Sequence, residues 1–356
     1  MDGELIAYDG AFLPHWKEFA DALEEYQYAL KCLPKDSASR LSLAYVELPK
    51  RVLDLLSNAL ESTHFKSISL QRNHFGRDGI EFALNYIRNN PILEQFRLLS
   101  NPIDHKDDVI ELCDIIRDHP SIHTIDLDSC CGEGINGYDV LCRVMAAGSR
   151  KLKSIDLCGS DISTGESTFI SDFLSTNPIL EKLVLEGNQL EDRDAKLIAG
   201  ALKYNTNLRY LDITDNDNIT DLGWVALYKA EFDSTSLNST ADSNHTCSIE
   251  SNSIFNTKPN EGGSLLFGPR EIRQRKIYSL LCSRNREYSN VHDLDDVPVE
   301  FLPDMLNSIQ QYSECDLGGD DSSGEGDEDV EALSIVYELI RRWEKAFSVY
   351  ESLGTS

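Results

Sequence analysis

Apolar residues recur along this chain in one short grouping: apolar, two residues, apolar, one residue, apolar, two residues, then Asn, Cys or Ser. The clear copies are Phe65, Ile68, Leu70 and Asn73; Leu93, Phe96, Leu98 and Asn101; Ile122, Ile125, Leu127 and Cys130; Leu152, Ile155, Leu157 and Ser160; Leu180, Leu183, Leu185 and Asn188; and Leu208, Leu211, Ile213 and Asn216. Their first positions lie 28, 29, 30, 28 and 28 residues apart. An earlier copy fits at Leu41, Leu43, Val46 and Leu48, and a degenerate, polar one begins near Leu237. The identical segments Asn90–Glu94 and Asn177–Glu181, both "NPILE", are separated by 87 residues, which is three of these periods and not a single duplication.

The physics of each unit follows from its pattern. The alternating apolar pair predicts a short strand with one buried face, and the Asn, or a smaller Cys in its place, can hydrogen-bond the backbone of the turn that follows. The second half of each unit changes to helical spacing: Leu84 and Ile87, Cys113 and Ile116, Ile170, Phe173 and Leu174, and Ile198 and Leu202 mark an inward face. Pro91, Pro120 and Pro178 then stop the helices, because a residue before proline disfavours the α region. One unit cannot bury its own apolar face, so neighbouring units must stack into a solenoid.

The repeat, from about residue 38 to 236, resembles the ribonuclease-inhibitor type of leucine-rich repeat. That resemblance implies an α/β fold: a leucine-rich-repeat solenoid (horseshoe) with a parallel concave sheet, convex helices and helical caps. The 30-residue unit from Ile122, and Cys130 and Ser160 in place of Asn, depart from the pattern. The expected organisation is an N-terminal helical cap over 1–37, repeats over 38–236, a degenerate repeat or polar loop over 237–263, and a C-terminal helical region over 264–313. An acidic linker follows over 314–331, and an amphipathic helix over 332–356. Both terminal stripes, Trp16, Phe19, Leu23, Tyr26, Leu30 and Leu33 and then Leu333, Val336, Ile340, Trp343, Phe347 and Tyr350, step by 3, 4, 3, 4 and 3. Such stripes suit caps over exposed solenoid ends. The stretch 314–331 holds nine acids and four glycines without a basic residue, a composition that cannot offset the entropy of ordering.

Composition narrows the partner class. With 61 acidic and 33 basic residues the net charge is -28, which disfavours nucleic acid and anionic membrane as ligands and favours a protein with a basic surface. The basic stretch 269–286 has no stacking aromatic besides Tyr278 and is expected to be a solvated helix face. No apolar run of 18 or more residues and no basic-then-apolar leader occurs, and the nine cysteines lack CxxC pairing. A soluble chain with reduced thiols is expected, in the cytoplasm or nucleus, with no metal and no cofactor.

The exposed positions between the strand leucines align into columns when the units stack. The middle column reads Ser69, Arg97, Asp126, Asp156, Val184 and Asp212; the next reads Gln71, Leu99, Asp128, Cys158, Glu186 and Thr214. The candidate partner-binding face is therefore Arg97, Asp126, Asp128, Asp156, Glu186, Asp212 and Asp215, with Tyr210 as an aromatic anchor; ordinary solvated charge would give the same reading. One literal GxGxxG, Gly132, Gly134 and Gly137, follows a strand, and Asp156 stands where a ribose-binding acid would. The neighbouring units share that strand pattern without the glycines, so an enlarged turn accounts for them. The histidines do not cluster, and none of the motifs GxSxG, HExxH or GxxxxGKS/T is present, so no catalytic residue is assigned. The expected function is a non-enzymatic protein-interaction scaffold. Two alternatives are a regulator of a small GTPase, as the Ran GTPase-activating proteins combine such repeats with an acidic segment, and an inhibitor of a basic enzyme such as a ribonuclease.

Overall fold

A computed structural model describes residues 5–32, 39–61, 63–250, 260, 268–287 and 305–308. The expected linker over 314–331 and the expected amphipathic helix over 332–356 lie outside these residues. The chain divides into two compact units, Met1–Trp224 with Glu250–Asn256, and Val225–Ile249 with Thr257–Ser356.

In the first unit strands and helices alternate. The strands are β1 (Arg40–Ala44), β2 (Ser67–Gln71), β3 (Gln95–Leu99), β4 (Thr124–Asp126), β5 (Ser154–Asp156), β6 (Lys182–Val184) and β7 (Tyr210–Asp212). They pair in parallel, each with the next in sequence. The helices are α1 (Leu13–Cys32), α2 (Lys50–Leu60), α3 (Arg77–Asn89), α4 (Lys106–Asp118), α5 (Gly137–Gly148), α6 (Phe169–Ser175) and α7 (Asp192–Leu202). A crossover of one helix per strand is what a parallel ladder requires.

The repeat leucines form the core. Ile68, Leu70, Phe96, Leu98, Ile125, Leu127, Ile155, Leu157, Leu183, Leu185, Leu211 and Ile213 are at most 1% exposed. The helices supply Leu56, Leu84, Ile87, Leu112, Ile116, Leu141, Met145, Leu174, Ile198 and Leu202 from their inward faces. Phe173, expected among them, is only half-buried; it stacks on Phe169, with ring centroids 6.3 Å apart. Of the N-terminal stripe, Leu23 is buried, whereas Tyr26 lies partly exposed against Phe65 at 6.0 Å.

Buried amides join consecutive units. The Asn188 side-chain amide donates to the Leu157 and Leu185 carbonyls at 3.0 and 2.9 Å, and its oxygen accepts the Ser160 and Ile162 amides at 3.0 Å. Asn216 repeats the reach, donating to the Leu185 and Ile213 carbonyls at 2.9 and 3.0 Å and accepting from Leu190 at 2.8 Å. Asn101 does the same towards Leu70 and Leu99, at 3.1 Å each. Cys130 donates its thiol back to the Leu98 carbonyl but has no strong acceptor to offer. The shorter Ser160 hydroxyl donates within its own turn, to the Cys158 carbonyl at 3.3 Å.

A second set of polar residues, not anticipated from the repeat, stands three positions before the first apolar residue of a unit. Asn90 donates to the Phe65 carbonyl at 2.7 Å and accepts the Ile92 amide at 3.3 Å. Asn205 donates to the Leu174 carbonyl at 2.8 Å and accepts the Asn207 and Leu208 amides at 3.1 and 2.8 Å. His119 takes this place between them, 6% exposed. The two NPILE copies differ here. Asn90 is buried, whereas Asn177 adopts φ +52° and turns its side chain towards Thr206, accepting the Thr206 amide at 3.0 Å.

The glycines of the GxGxxG stretch have packing reasons. Gly134 takes φ +78°, and a methyl group at Gly137, the first residue of α5, would strike the Ser160 carbonyl oxygen. They answer the enlarged turn of the long unit.

In the second unit Leu237 opens a helix, α9 (Leu237–Asp242), in the stretch expected to be a degenerate repeat or polar loop; the Ser236 hydroxyl caps it by accepting the Ser239 amide at 3.0 Å. A two-residue strand, β8 (Ser248–Ile249), follows, and the basic stretch forms α10 (Pro269–Glu287). Lys276, 3% exposed, is not a solvated residue of that helix. Its ammonium donates to the Glu231 carbonyl, at the end of α8 (Asp221–Glu231), and to the Asn244 carbonyl at 2.8 Å. A cation at a helix C-terminus complements the dipole, but burial pushes the Lys276 amine well below its ordinary range, with Glu231 and Cys247 opposing that shift.

Two outcomes follow. Asn188→Ala orphans buried donors and carbonyls on two units and should cost about 1–3 kcal/mol or more in denaturant unfolding, against a few tenths for Asn85→Ala on the exposed face of α3. Because the folded chain releases the Lys276 proton more readily than the unfolded chain, the stability of the second unit should rise with pH from neutral towards 10; Lys276→Met should flatten that rise in thermal unfolding.

Candidate functional site

The register of the sheet sets the open face. Arg97 lies opposite Asp126, Asp126 opposite Asp156, Asp156 opposite Val184, and Val184 opposite Asp212. The ladder continues past the strand ends, with the Ser129 amide donating to Cys158 at 2.8 Å and the Gly159 amide to Glu186 at 2.9 Å, so Asp128, Cys158, Glu186 and Thr214 form the adjoining row. Adjacent strands lie about 4.8 Å apart, so Asp126 and Asp156 are close neighbours, while Val184 separates them from Asp212.

Crowding shows in their protonation. Burial, and next the neighbouring Asp156 carboxylate, raise Asp126 to about 6, while Arg97 and the Asp128 amide pull it back. Asp156 and Glu186 are also raised, first by burial and then, net of favourable contacts, by the other acids of the face. The Cys158 thiol among them is pushed up to about 12 by burial and by Asp128, Glu186, Asp156 and Asp212, which leaves it protonated and unreactive at neutral pH.

Several of the predicted residues have local duties as well. Asp126 accepts the Asp128 amide at 3.3 Å, Asp156 the Cys158 amide at 3.2 Å, and Asp212 the Thr214 amide at 3.1 Å with the Thr214 hydroxyl at 2.7 Å. Asp at this position therefore pins the end of its own strand. Val184 and Asp212, expected on the solvent side, are only 5% and 7% exposed. Asp128, Asp156, Glu186 and Arg97 are half-buried, and Asp215 is exposed at φ +54°. Tyr210 is not a free anchor. Its hydroxyl sits 3.1 Å from Asp212 and 3.2 Å from Glu250, and the Lys182 ammonium lies 5.4 Å from its ring centre. Glu250, whose amide donates to the Leu211 carbonyl at 2.8 Å, extends the acidic face; nothing in the repeat spacing pointed to it.

Arg97 marks where the charge changes sign, and its Nε is buried with no hydrogen-bond acceptor among the described residues. No group of three His, Cys, Asp or Glu side chains placed to hold a metal ion occurs among the described residues. No described helix is long and apolar enough to cross a membrane.

The geometry defines a parallel-sheet repeat solenoid carrying an acidic open face. Residues 204–227 match the Leucine Rich repeat family. The chain is 27% identical over 174 residues to the ribonuclease inhibitor of Sus scrofa, covering 48% of this chain and 37% of that protein. It thus spans well under half the length of this curated relative. Among solved structures, an internalin from Listeria monocytogenes is 21% identical, with a TM-score of 0.33, over 53% of this chain and 45% of the other. The C-terminal domain of tropomodulin from Caenorhabditis elegans is 8% identical, with a TM-score of 0.22, over 59% and 89%. The repeat spacing, the parallel sheet and the sequence matches agree on a leucine-rich-repeat solenoid whose repeats are similar to those of the ribonuclease-inhibitor type.

The crowding can be measured directly. Asp156→Asn removes the nearest like charge and should lower the Asp126 midpoint from about 6 by carboxyl NMR titration. Because folding raises that midpoint, Asp126 adds stability at acid pH that is lost as pH rises through about 6, so Asp126→Asn should stabilise the fold at pH 7 more than at pH 4.

Proposed function

We propose that this protein is a non-enzymatic interaction scaffold that holds a basic segment of a partner protein against the open face of β4 to β7. The observation that carries this reading is the in-register row Asp126, Asp156 and, past Val184, the largely buried Asp212, with Asp128, Glu186 and Asp215 beside it. Asp126, Asp156 and Glu186 are raised first by burial and then by neighbouring acids, so part of that shift is like-charge repulsion on the free face. A lysine- or arginine-rich segment relieves that repulsion on binding, and the surrounding charge of -28 steers such a segment inward. Arg97 would orient the segment by excluding its cations from the β3 side.

A second reading, inhibition of a basic enzyme, is favoured by the match to a ribonuclease inhibitor. It uses the same face. A regulator of a small GTPase has no comparable support.

The test is charge reversal at Asp126, Asp156 and Glu186 to Lys, which spares the buried Asp212. The triple variant should lose the partners that the wild-type chain retains from a cell extract, and should weaken binding of an oligo-arginine peptide by more than tenfold at low salt. Partners that survive the reversal, in a variant with an unchanged melting temperature, would place binding elsewhere. Pancreatic-type ribonuclease activity measured with and without the chain separates the second reading.

A further inference from the structure

His119 replaces an asparagine in the second set of linking residues, and its chemistry differs from asparagine in one respect: it titrates. Its Nδ1 accepts two backbone amides, Ser121 and Ile122, both at 3.1 Å, and its Nε2 lies 2.8 Å from the Asn90 carbonyl. That set of partners defines a neutral imidazole with the proton on Nε2, the only form in which Nδ1 can accept. Asn205 holds the Asn207 and Leu208 amides in the same way with an oxygen that has no proton to gain in this range.

The imidazole also borders water. With Pro91 and Pro120 it lines a groove of about 600 Å³ whose other walls carry Arg88 from α3 and Asp107, Glu111, Asp114 and Asp118 from α4. These four carboxylates favour a cation nearby; Arg88, ion-paired to Glu111, offsets one of them, and Arg117 is paired to Asp114 and Asp118. From the other side Lys151 opposes protonation, its ammonium donating to the Arg117 carbonyl at 2.8 Å and to the His119 carbonyl.

We propose that His119 is an acid-operated latch: a proton taken from the groove water onto Nδ1 ends its hold on the Ser121 and Ile122 amides and frees the entry to β4, the strand that carries Asp126. The imidazolium would then present an N–H to two N–H donors, and the last turn of α4 would lose its tie to the strand. Burial and Lys151 hold the His119 midpoint below its ordinary value of 6.5, so the latch is closed at neutral pH and its stabilisation is lost as pH falls through the folded-state midpoint. The latch stands whether or not the open face binds a basic partner.

Amide hydrogen exchange on the full chain, corrected for intrinsic rates between pH 7.5 and 4.5, tests this. Protection of Ser121 and Ile122 should fall by up to about tenfold per pH unit below the His119 midpoint, while Asn207 and Leu208 keep theirs. His119→Asn should retain protection and abolish the acid-dependent loss. Nitrogen NMR of the wild-type ring should show an unprotonated Nδ1 at pH 7.5, a readout that does not depend on any variant folding. The proposal is overturned if Ser121 and Ile122 track Asn207 and Leu208 throughout, if His119→Asn keeps the same acid response, or if Nδ1 carries the proton at neutral pH.

Discussion

Every unit of a stacked solenoid ends in turns whose backbone amides and carbonyls point into the core, and a buried peptide group without a partner costs about as much as a lost hydrogen bond. The fold depends on how these groups are satisfied. Asn101, Asn188 and Asn216 meet the requirement at the strand exit, each bonding its own turn and the unit before it. Asn90, His119 and Asn205 meet it at the helix exit. The leucines supply most of the burial, but they are not directional. The amides set the register, and the register in turn sets which charges face one another on the open side.

The repeat period, the strand positions and the middle column were all legible in the sequence, because packing forces the buried apolar spacing to recur. Leu157 and Leu185 could be placed without a structure for that reason. Less legible was the meaning of the polar positions. Asp126, Asp156 and Asp212 read as display residues, yet each also accepts an amide two residues on, so one chemical type serves two ends. A repeated Asp cannot reveal from spacing alone which end governs it.

Other features escaped because no period carries them. Glu250 reaches the open face from beyond the last clear repeat, and Lys276 is buried within a stretch whose arginine content suggested a solvated helix. The two NPILE copies show the limit from the opposite side. Five identical residues place Asn90 in the core, donating to the Phe65 carbonyl, and Asn177 in a left-handed turn, accepting the Thr206 amide.

The interruption of the acidic column by Val184 has a metric consequence. Carboxylates on successive strands repeat at about 4.8 Å, while like-facing side chains of an extended peptide repeat at about 6.6–6.8 Å. The two scales coincide only every third strand against every second such side chain, near 14 Å. A peptide laid across this sheet therefore cannot match every acid, and the valine falls where a vernier of this kind tolerates a missing charge. In the proposed binding mode the sheet would act as a ruler, discriminating among basic segments by the spacing of their charges more than by how many they carry.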